Sequence, residues 1–215
     1  IEMKMGKLLL SATLYHMRYT DQLVLTGKVN DVGAYARTNI PKSYRTGIEI
    51  ETNLSLDQWL SFSNNIALSR NKLKNFSDYT DDYVSGNQIQ TVYKNPDISF
   101  SPSIVDNAII TFTLSKQAEA RWITKYVSRQ YLDNTGRENR SLDPFIVQDL
   151  NFNFSIPSKK FKGLELSAQI NNLWSKLYAP NGYTYTYFYG RTEFINNYYY
   201  PMAERNFMFG LTVNF

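Results

Sequence analysis

The chain has no cysteine, a single histidine and no long apolar run, and each lack removes a class of function. Without cysteine there is neither a disulfide framework nor a thiolate metal site. Nothing approaches the roughly 18 consecutive apolar residues that suggest a membrane-spanning helix. There is no run of Lys or Arg, and a net charge of +4 over 215 residues is small for a nucleic-acid binder. The opening Ile1-Glu-Met-Lys-Met5 has neither an apolar core nor a cleavage site, so it does not read as a signal peptide.

Catalytic and metal patterns are equally thin. His16 would have to serve any Ser-His-Asp triad, and no Gly-x-Ser-x-Gly elbow accompanies it. It reads instead as a polar wall residue. Asp78, Asp81 and Asp82 lack the ligand spacing and central glycine of a calcium loop and read as a solvated acidic stretch. Gly27, Gly33 and Gly47 form no phosphate cradle. No catalytic residue, metal or cofactor is expected.

What the chain has in plenty is aromatic side chains, 17 Tyr and 13 Phe, which favour strands. Period-two alternation recurs along almost the whole length. Leu60, Phe62, Ile66 and Leu68 oppose Ser61, Ser63, Asn65 and Ser69. Ala108, Ile110, Phe112 and Leu114 oppose Asn107, Thr111 and Thr113. Trp122 and Tyr126 oppose Glu119, Arg121, Lys125 and Arg129. Leu150, Phe152, Phe154 and Ile156 oppose Asp149, Asn151, Asn153 and Ser155, and 164–171 repeats the pattern. Around 8–20, Tyr15, Met17 and Tyr19 oppose His16 and Arg18, which are placed on the lumen side. The last strand is the cleanest, with Phe207, Phe209, Leu211, Val213 and Phe215 on one face. These runs amount to about eight strands, most of them about 10 residues or longer, which suits tilted membrane-spanning strands.

Short turns are expected near 55–57, 115–117 and 157–162, and longer segments near 28–38, 76–96, 133–143 and 179–202. Such asymmetry between tight turns and long loops is that of an outer-membrane barrel. All seven prolines, from Pro41 to Pro201, read as strand ends or connections. Alternation alone does not say which side is apolar. A soluble barrel would put the apolar side chains inside and point Glu49, Glu51 and Arg121 at water. A mean hydropathy of −0.41 is compatible with either, since only alternate residues of a membrane barrel face lipid. Strand length and loop asymmetry favour the membrane barrel, and a complete eight-stranded barrel acting as an adhesin or enzyme is the alternative to part of a larger one.

Several segments carry a family resemblance. Tyr19–Tyr35 and Lys42–Glu49, with its Gly-Ile-Glu strand, resemble the barrel of Bacteroidetes-type TonB-dependent outer-membrane receptors. So do Tyr126–Asn134, Ser141–Pro144, Asn171-Asn-Leu-Trp-Ser-Lys-Leu-Tyr178 and Pro201-Met-Ala-Glu-Arg-Asn-Phe207. Glu204 departs from the pattern, in which a glycine commonly precedes the arginine. The resemblance implies an all-β, antiparallel transmembrane barrel of about 22 strands, of which residues 1–215 supply about eight C-terminal ones, without the plug domain. It implies import of a bulky, scarce solute, an iron–siderophore complex first, with haem, cobalamin or glycan as alternatives. The partners implied are outer-membrane lipid, the plug and remaining strands, TonB through the N-terminal part, and the barrel-assembly machinery. Phe207, Phe209, Leu211, Val213 and Phe215 look like the signal that machinery reads.

One stretch suggests a binding surface. Tyr183, Tyr185, Tyr187 and Tyr189 share one face of an extended ribbon, opposite Thr184, Thr186 and Phe188, with Arg191 close behind. Tyrosine presents a large apolar face with a polar tip at low entropic cost, so these five residues are the candidate ligand contacts. The bland alternatives are an aromatic girdle at a lipid boundary and simple packing between loops.

Overall fold

The computed structural model describes residues 1–29, 32–157 and 163–214. Fifteen strands are seen among them: β1 (Glu2–Met5), β2 (Leu8–Val29), β3 (Tyr35–Ser55), β4 (Leu60–Leu73), β5 (Asn75–Asp82), β6 (Gln88–Lys94), β7 (Ile104–Thr113), β8 (Ala118–Val127), β9 (Gln130–Tyr131), β10 (Ser141–Leu142), β11 (Phe145–Ile156), β12 (Gly163–Asn171), β13 (Asn181–Tyr189), β14 (Thr192–Tyr200) and β15 (Asn206–Asn214). One 3-10 turn, Glu138–Arg140, is the nearest thing to a helix among the described residues.

Nine strands form one antiparallel sheet in the order β1-β2-β3-β4-β7-β8-β11-β12-β15. Eight of them are the long strands expected from the alternation, and β1 is a short ninth. Because side chains alternate across a strand, the pairing register decides whether the apolar faces coincide. They do. Leu14 pairs with Ile48 and Ile48 with Leu68; further along, Ile110 pairs with Trp122, Trp122 with Leu150, Leu150 with Ile170 and Ile170 with Phe207. The opposite face runs Glu51, Asn65, Asn107, Lys125 in register. One side of the wall is thus a continuous apolar surface and the other is polar.

That apolar side is not covered. Leu14 is 77% exposed and Phe209 82%, among many large exposed hydrophobics. The described strands β1 and β15 sit at the two edges of the sheet and do not pair with each other. The sheet is open, so these strands do not close into a small eight-stranded barrel.

Strands β7, β8, β12 and β15 have 9 or 10 residues, the length of one tilted membrane crossing at about 9–11 residues. The hairpin β2–β3 is far longer, at 22 and 21 residues, so its upper half projects beyond the others. Of the stretch 28–38, expected as a long loop, residues 28–29 and 35–38 instead belong to the strands of this hairpin, with Val29 paired to Tyr35.

Two further expectations are corrected along the same hairpin. Pro41 lies inside β3, not at a strand end. It is tolerated because the β2–β3 ladder skips this position, passing from Thr20–Lys42 to Gln22–Ile40, so a missing N–H breaks no pairing there. Opposite it, Asp21 takes φ +52, and the alternation reverses there. Beyond this point Ser43 donates to Gln22, and Val24 and Ile40 turn inward to pack with Leu73, Phe76 and Ile98. Second, His16 and Arg18 are not on the polar face. Register pairs them with Thr46 and Tyr44, in line with Leu14 and Ile48, so they continue the apolar face upward. The pairing decided this, not the local pattern, which is the least regular of the chain.

Candidate functional site

The long connections at one end of the wall are folded structures, not loops. β5–β6 and β13–β14 are hairpins that join into a second, four-stranded sheet in the order β14-β13-β5-β6. Their junction is parallel, with Tyr187 opposite Asp81. The tip of β13–β14 is the two-residue turn Gly190-Arg191, where Gly190 takes φ +63, a conformation that tight hairpin turns assign to glycine. Arg191 stands exposed in that turn.

The small sheet has two unlike faces. Asp78, Thr80, Asp82, Thr184 and Thr186 are buried. Their alternating partners Tyr79, Tyr185 and Tyr189 are exposed, which confirms that the tyrosines and threonines of 183–189 face opposite ways. On the exposed side Tyr183 stacks on its cross-strand partner Tyr198 at 4.7 Å between ring centroids. Tyr187 stacks on Phe194 at 5.1 Å, nearly parallel at 9°. Tyr83 joins from the neighbouring hairpin, 5.3 Å from Tyr187, with its hydroxyl bonded to that of Tyr185. That contact, followed by burial, pushes the Tyr185 phenol up to about 12. Tyr83 is added to this surface only by the parallel junction that sets its hairpin beside β13, and Phe194 by the antiparallel register within β13–β14.

Beneath the sheet is an ion cluster that no local pattern announces. Arg140 is only 2% exposed. One guanidinium nitrogen donates to Asp133 at 2.9 Å and Asp78 at 3.1 Å, and the other donates to Glu193 at 2.9 Å. Arg137 grips the same Glu193 carboxylate with both of its terminal nitrogens, which holds that carboxyl below the ordinary glutamate range despite partial burial. Burial opposes the charge on Arg140, but Asp133 and Asp78 outweigh it and its pKa is raised. Lys28, near the top of β2, completes the set by donating to the Tyr79 carbonyl at 2.7 Å. Three connections and the long hairpin are therefore fastened by charge at one point.

The three aspartates of 78–82 work separately, and Asp78 and Asp82 are buried, not solvated as the sequence suggested. Asp78 serves Arg140, Asp81 accepts from Gln88 at 2.8 Å, and Asp82 accepts from Ser85 at 2.7 Å and from the Val84 and Gly190 amides. Among the described residues no group of three His, Asp or Glu could hold a metal ion.

The segments that carried the resemblance also have structural work to do. Asn172, 4% exposed at φ +51, accepts from the Lys176 amide at 2.8 Å and donates to the Lys176 and Ala203 carbonyls. The Arg205 side chain donates to the Leu173 carbonyl at 2.8 Å. Ser175 donates at 3.0 Å to Glu204, the residue that departs from the family pattern. The stretches 171–178 and 201–207 thus lock into each other at the ends of β12 and β15. Asn134, fully buried, donates to the Leu25 carbonyl at 2.5 Å and accepts from the Ser99 amide at 2.8 Å. Beside it Gly27 sits at φ +84, where an added Cβ would lie 2.5 Å from the Asp133 Cβ, so only glycine fits.

Of the other residues singled out, Phe207, Phe209, Leu211 and Val213 line up on the apolar face of edge strand β15. Phe215 lies outside the described residues, as does most of the expected turn at 157–162. On the polar face Arg121 pairs with Glu119 at 2.6 Å, whereas Arg129 lies past the end of β8 and pairs with Glu138 at 2.9 Å.

A model of the family described as TonB dependent receptor-like, beta-barrel, matches residues 1–173. The chain belongs to that family. No curated protein matches it. Among solved structures, the siderophore receptor PiuA from Acinetobacter baumannii superimposes with a TM-score of 0.64 over 98% of this chain at 19% identity. The copper transporter OprC gives 0.65 over 98% at 18% identity. The ferric yersiniabactin uptake receptor FyuA from Yersinia pestis gives 0.61 over 100% at 15% identity. This chain spans only 26%, 30% and 29% of those three chains respectively. An open sheet is what such a share of a TonB-dependent receptor barrel must be, and the structure is a partial barrel.

Proposed function

We propose that the chain is the C-terminal part of the barrel of a Bacteroidetes-type TonB-dependent outer-membrane importer, and that its outer hairpins contribute a capture surface for a bulky, scarce solute. In this reading the apolar face is the lipid-facing exterior and the polar face lines the lumen against a plug carried by the rest of the receptor. TonB would act through that missing part, with this wall as its rigid support. The exposed edge of β15 would present the assembly signal.

The observation that carries the capture role is the exposed face of the small sheet. Tyr83, Tyr183, Tyr185 and Tyr187 form a stacked aromatic surface, held on a base fastened by Arg140. Rigid aromatic rings on a pre-organised support bind flat or aromatic solutes without a large ordering cost. An iron–siderophore complex is favoured, since PiuA is described as a siderophore receptor and FyuA as a ferric yersiniabactin uptake receptor; haem, cobalamin and glycan share the stacking chemistry.

The test replaces Tyr185 and Tyr187 by alanine in the complete receptor. Losing two stacking contacts at roughly 1 kcal/mol each weakens binding by about thirtyfold. Ferric-siderophore binding to whole cells reads the effect, with surface abundance checked by antibody. Unchanged binding and uptake at equal abundance would refute the capture role.

A further inference from the structure

The outer end of β2–β4 carries a second feature that solute capture does not use. On the apolar side, the row Leu68–Ile48–Leu14 is followed by Arg70–Thr46–His16 and then Lys72–Tyr44–Arg18, in register. Lys74 and Lys42 continue it, joined by a backbone hydrogen bond of 3.0 Å. Successive rows on one face lie about 6.7 Å apart along the strands, so the apolar wall gives way abruptly to three rows of cations. No Asp or Glu occurs in 14–20, 42–48 or 68–74.

Few of these cations are neutralised. Lys72 pairs with Asp97 at 2.9 Å, and Asp21 lies exposed just above, at the bend of β2. Arg18 donates to His16 at 3.1 Å, itself a basic group, and His16 lies against Tyr44 at 6.2 Å between rings. Arg70, Lys42 and Lys74 are exposed. An open cavity of about 630 Å³ is lined by His16, Arg18, Lys42, Tyr44 and Lys74.

We infer that this surface binds a membrane lipid whose headgroup carries phosphate. The inference rests on the outer-membrane reading above. Like charges are costly to gather on a surface unless an anion meets them, and these lie where a headgroup would, directly above an apolar band on which its acyl chains would rest. Basic clusters next to a lipid-facing surface recognise anionic headgroups in this way. A soluble anion would have no use for the apolar rows below. The occupant is therefore lipid-borne phosphate, with Arg18, Lys42, Lys74 and Arg70 as its contacts.

The experiment uses the complete receptor in mild detergent, with bisphosphorylated lipid A, its phosphate-free form and inorganic phosphate as probes. Native mass spectrometry counts bound lipid, and titration gives affinities. The wild type should retain bisphosphorylated lipid A at least tenfold more tightly than the phosphate-free form, and inorganic phosphate at the same concentration should not displace it. R18Q/K42Q/K74Q should lose that preference while keeping heat-modifiable gel mobility and solute binding. Should the triple variant fail to fold, K42Q/K74Q must still weaken the lipid at least threefold. Equal affinity for both lipids, displacement by inorganic phosphate, or a folded variant with unchanged retention overturns the inference. A wild-type receptor that does not insert into membranes at all would instead sink the outer-membrane reading.

Discussion

Replacing Arg140 by methionine removes the charge that fastens the outer hairpins while keeping much of the side-chain volume. Asp133, whose side chain is 5% exposed, loses its cation, and Asp78, 9% exposed, keeps only the more distant Lys28 at 3.8 Å. Glu193 is 24% exposed and keeps Arg137, so it is affected least. Breaking a buried ion pair from one side typically costs about 3–5 kcal/mol, because the remaining carboxylates stay desolvated and unpaired. Taking the lower end for a site near the surface, about 3 kcal/mol, local opening should become roughly a hundredfold more frequent. The wall should not change, since none of its ladders passes through Arg140. Hydrogen exchange followed by mass spectrometry reads this directly: amides of 75–94, 128–144 and 181–200 should lose protection while β7, β8 and β11 keep theirs. R140K should fail similarly, since a lysine cannot present the fork that serves three carboxylates. R140M/D78N/D133N should recover much of the loss, because neutral partners leave no uncompensated charge. If R140M leaves exchange in both hairpins unchanged, or accelerates the wall equally, the view of Arg140 as the fastening point is wrong.

Two further outcomes are expected. N172A removes a buried side chain with three hydrogen bonds to backbone and should cost about 2 kcal/mol of local stability; faster exchange at 171–178 and 201–207 together is the sign, and an effect confined to one segment would contradict their interlock. The second concerns pH. Glu193 has its carboxyl lowered from 4.5, mainly by the Arg137 hydrogen bonds and against partial burial, so its stabilising share is whole above pH 4.5 and disappears as pH falls through the depressed native value. Near-ultraviolet circular dichroism of the stacked tyrosines should hold from pH 7 to 5 and decay below 4.5; a decay centred above pH 5 would point to another group.

The strands of the wall were legible in the sequence because a strand's signal is local. Ile48 beside Glu49, or Phe207 beside Asn206, states which residues share a face, whatever the neighbouring strand does. The same holds for Tyr183–Tyr189, whose separation from Thr184 and Thr186 is visible before any pairing is known. His16 and Arg18 were misassigned because local alternation says only that they oppose Tyr15 and Met17. Which of the two faces continues the apolar wall depends on their registration against Thr46 and Tyr44. Pro41 was misread for a similar reason: a proline looks like a strand end unless the partner it would have bonded is known to be absent.

By itself the sequence determined that this is an all-β chain with an apolar face repeated from strand to strand, and that its aromatic segment 183–189 is two-sided. It also carried the family resemblance, since motifs such as 171–178 and 201–207 are contiguous. Tertiary structure alone decided that the long connections become a second sheet and that Tyr83 meets Tyr185 across it. It also decided that Arg140 meets carboxylates 62, 7 and 53 residues away in the chain. The physical reason is that alternation is encoded in neighbours, whereas a buried ion cluster is encoded in distances that only the folded chain sets.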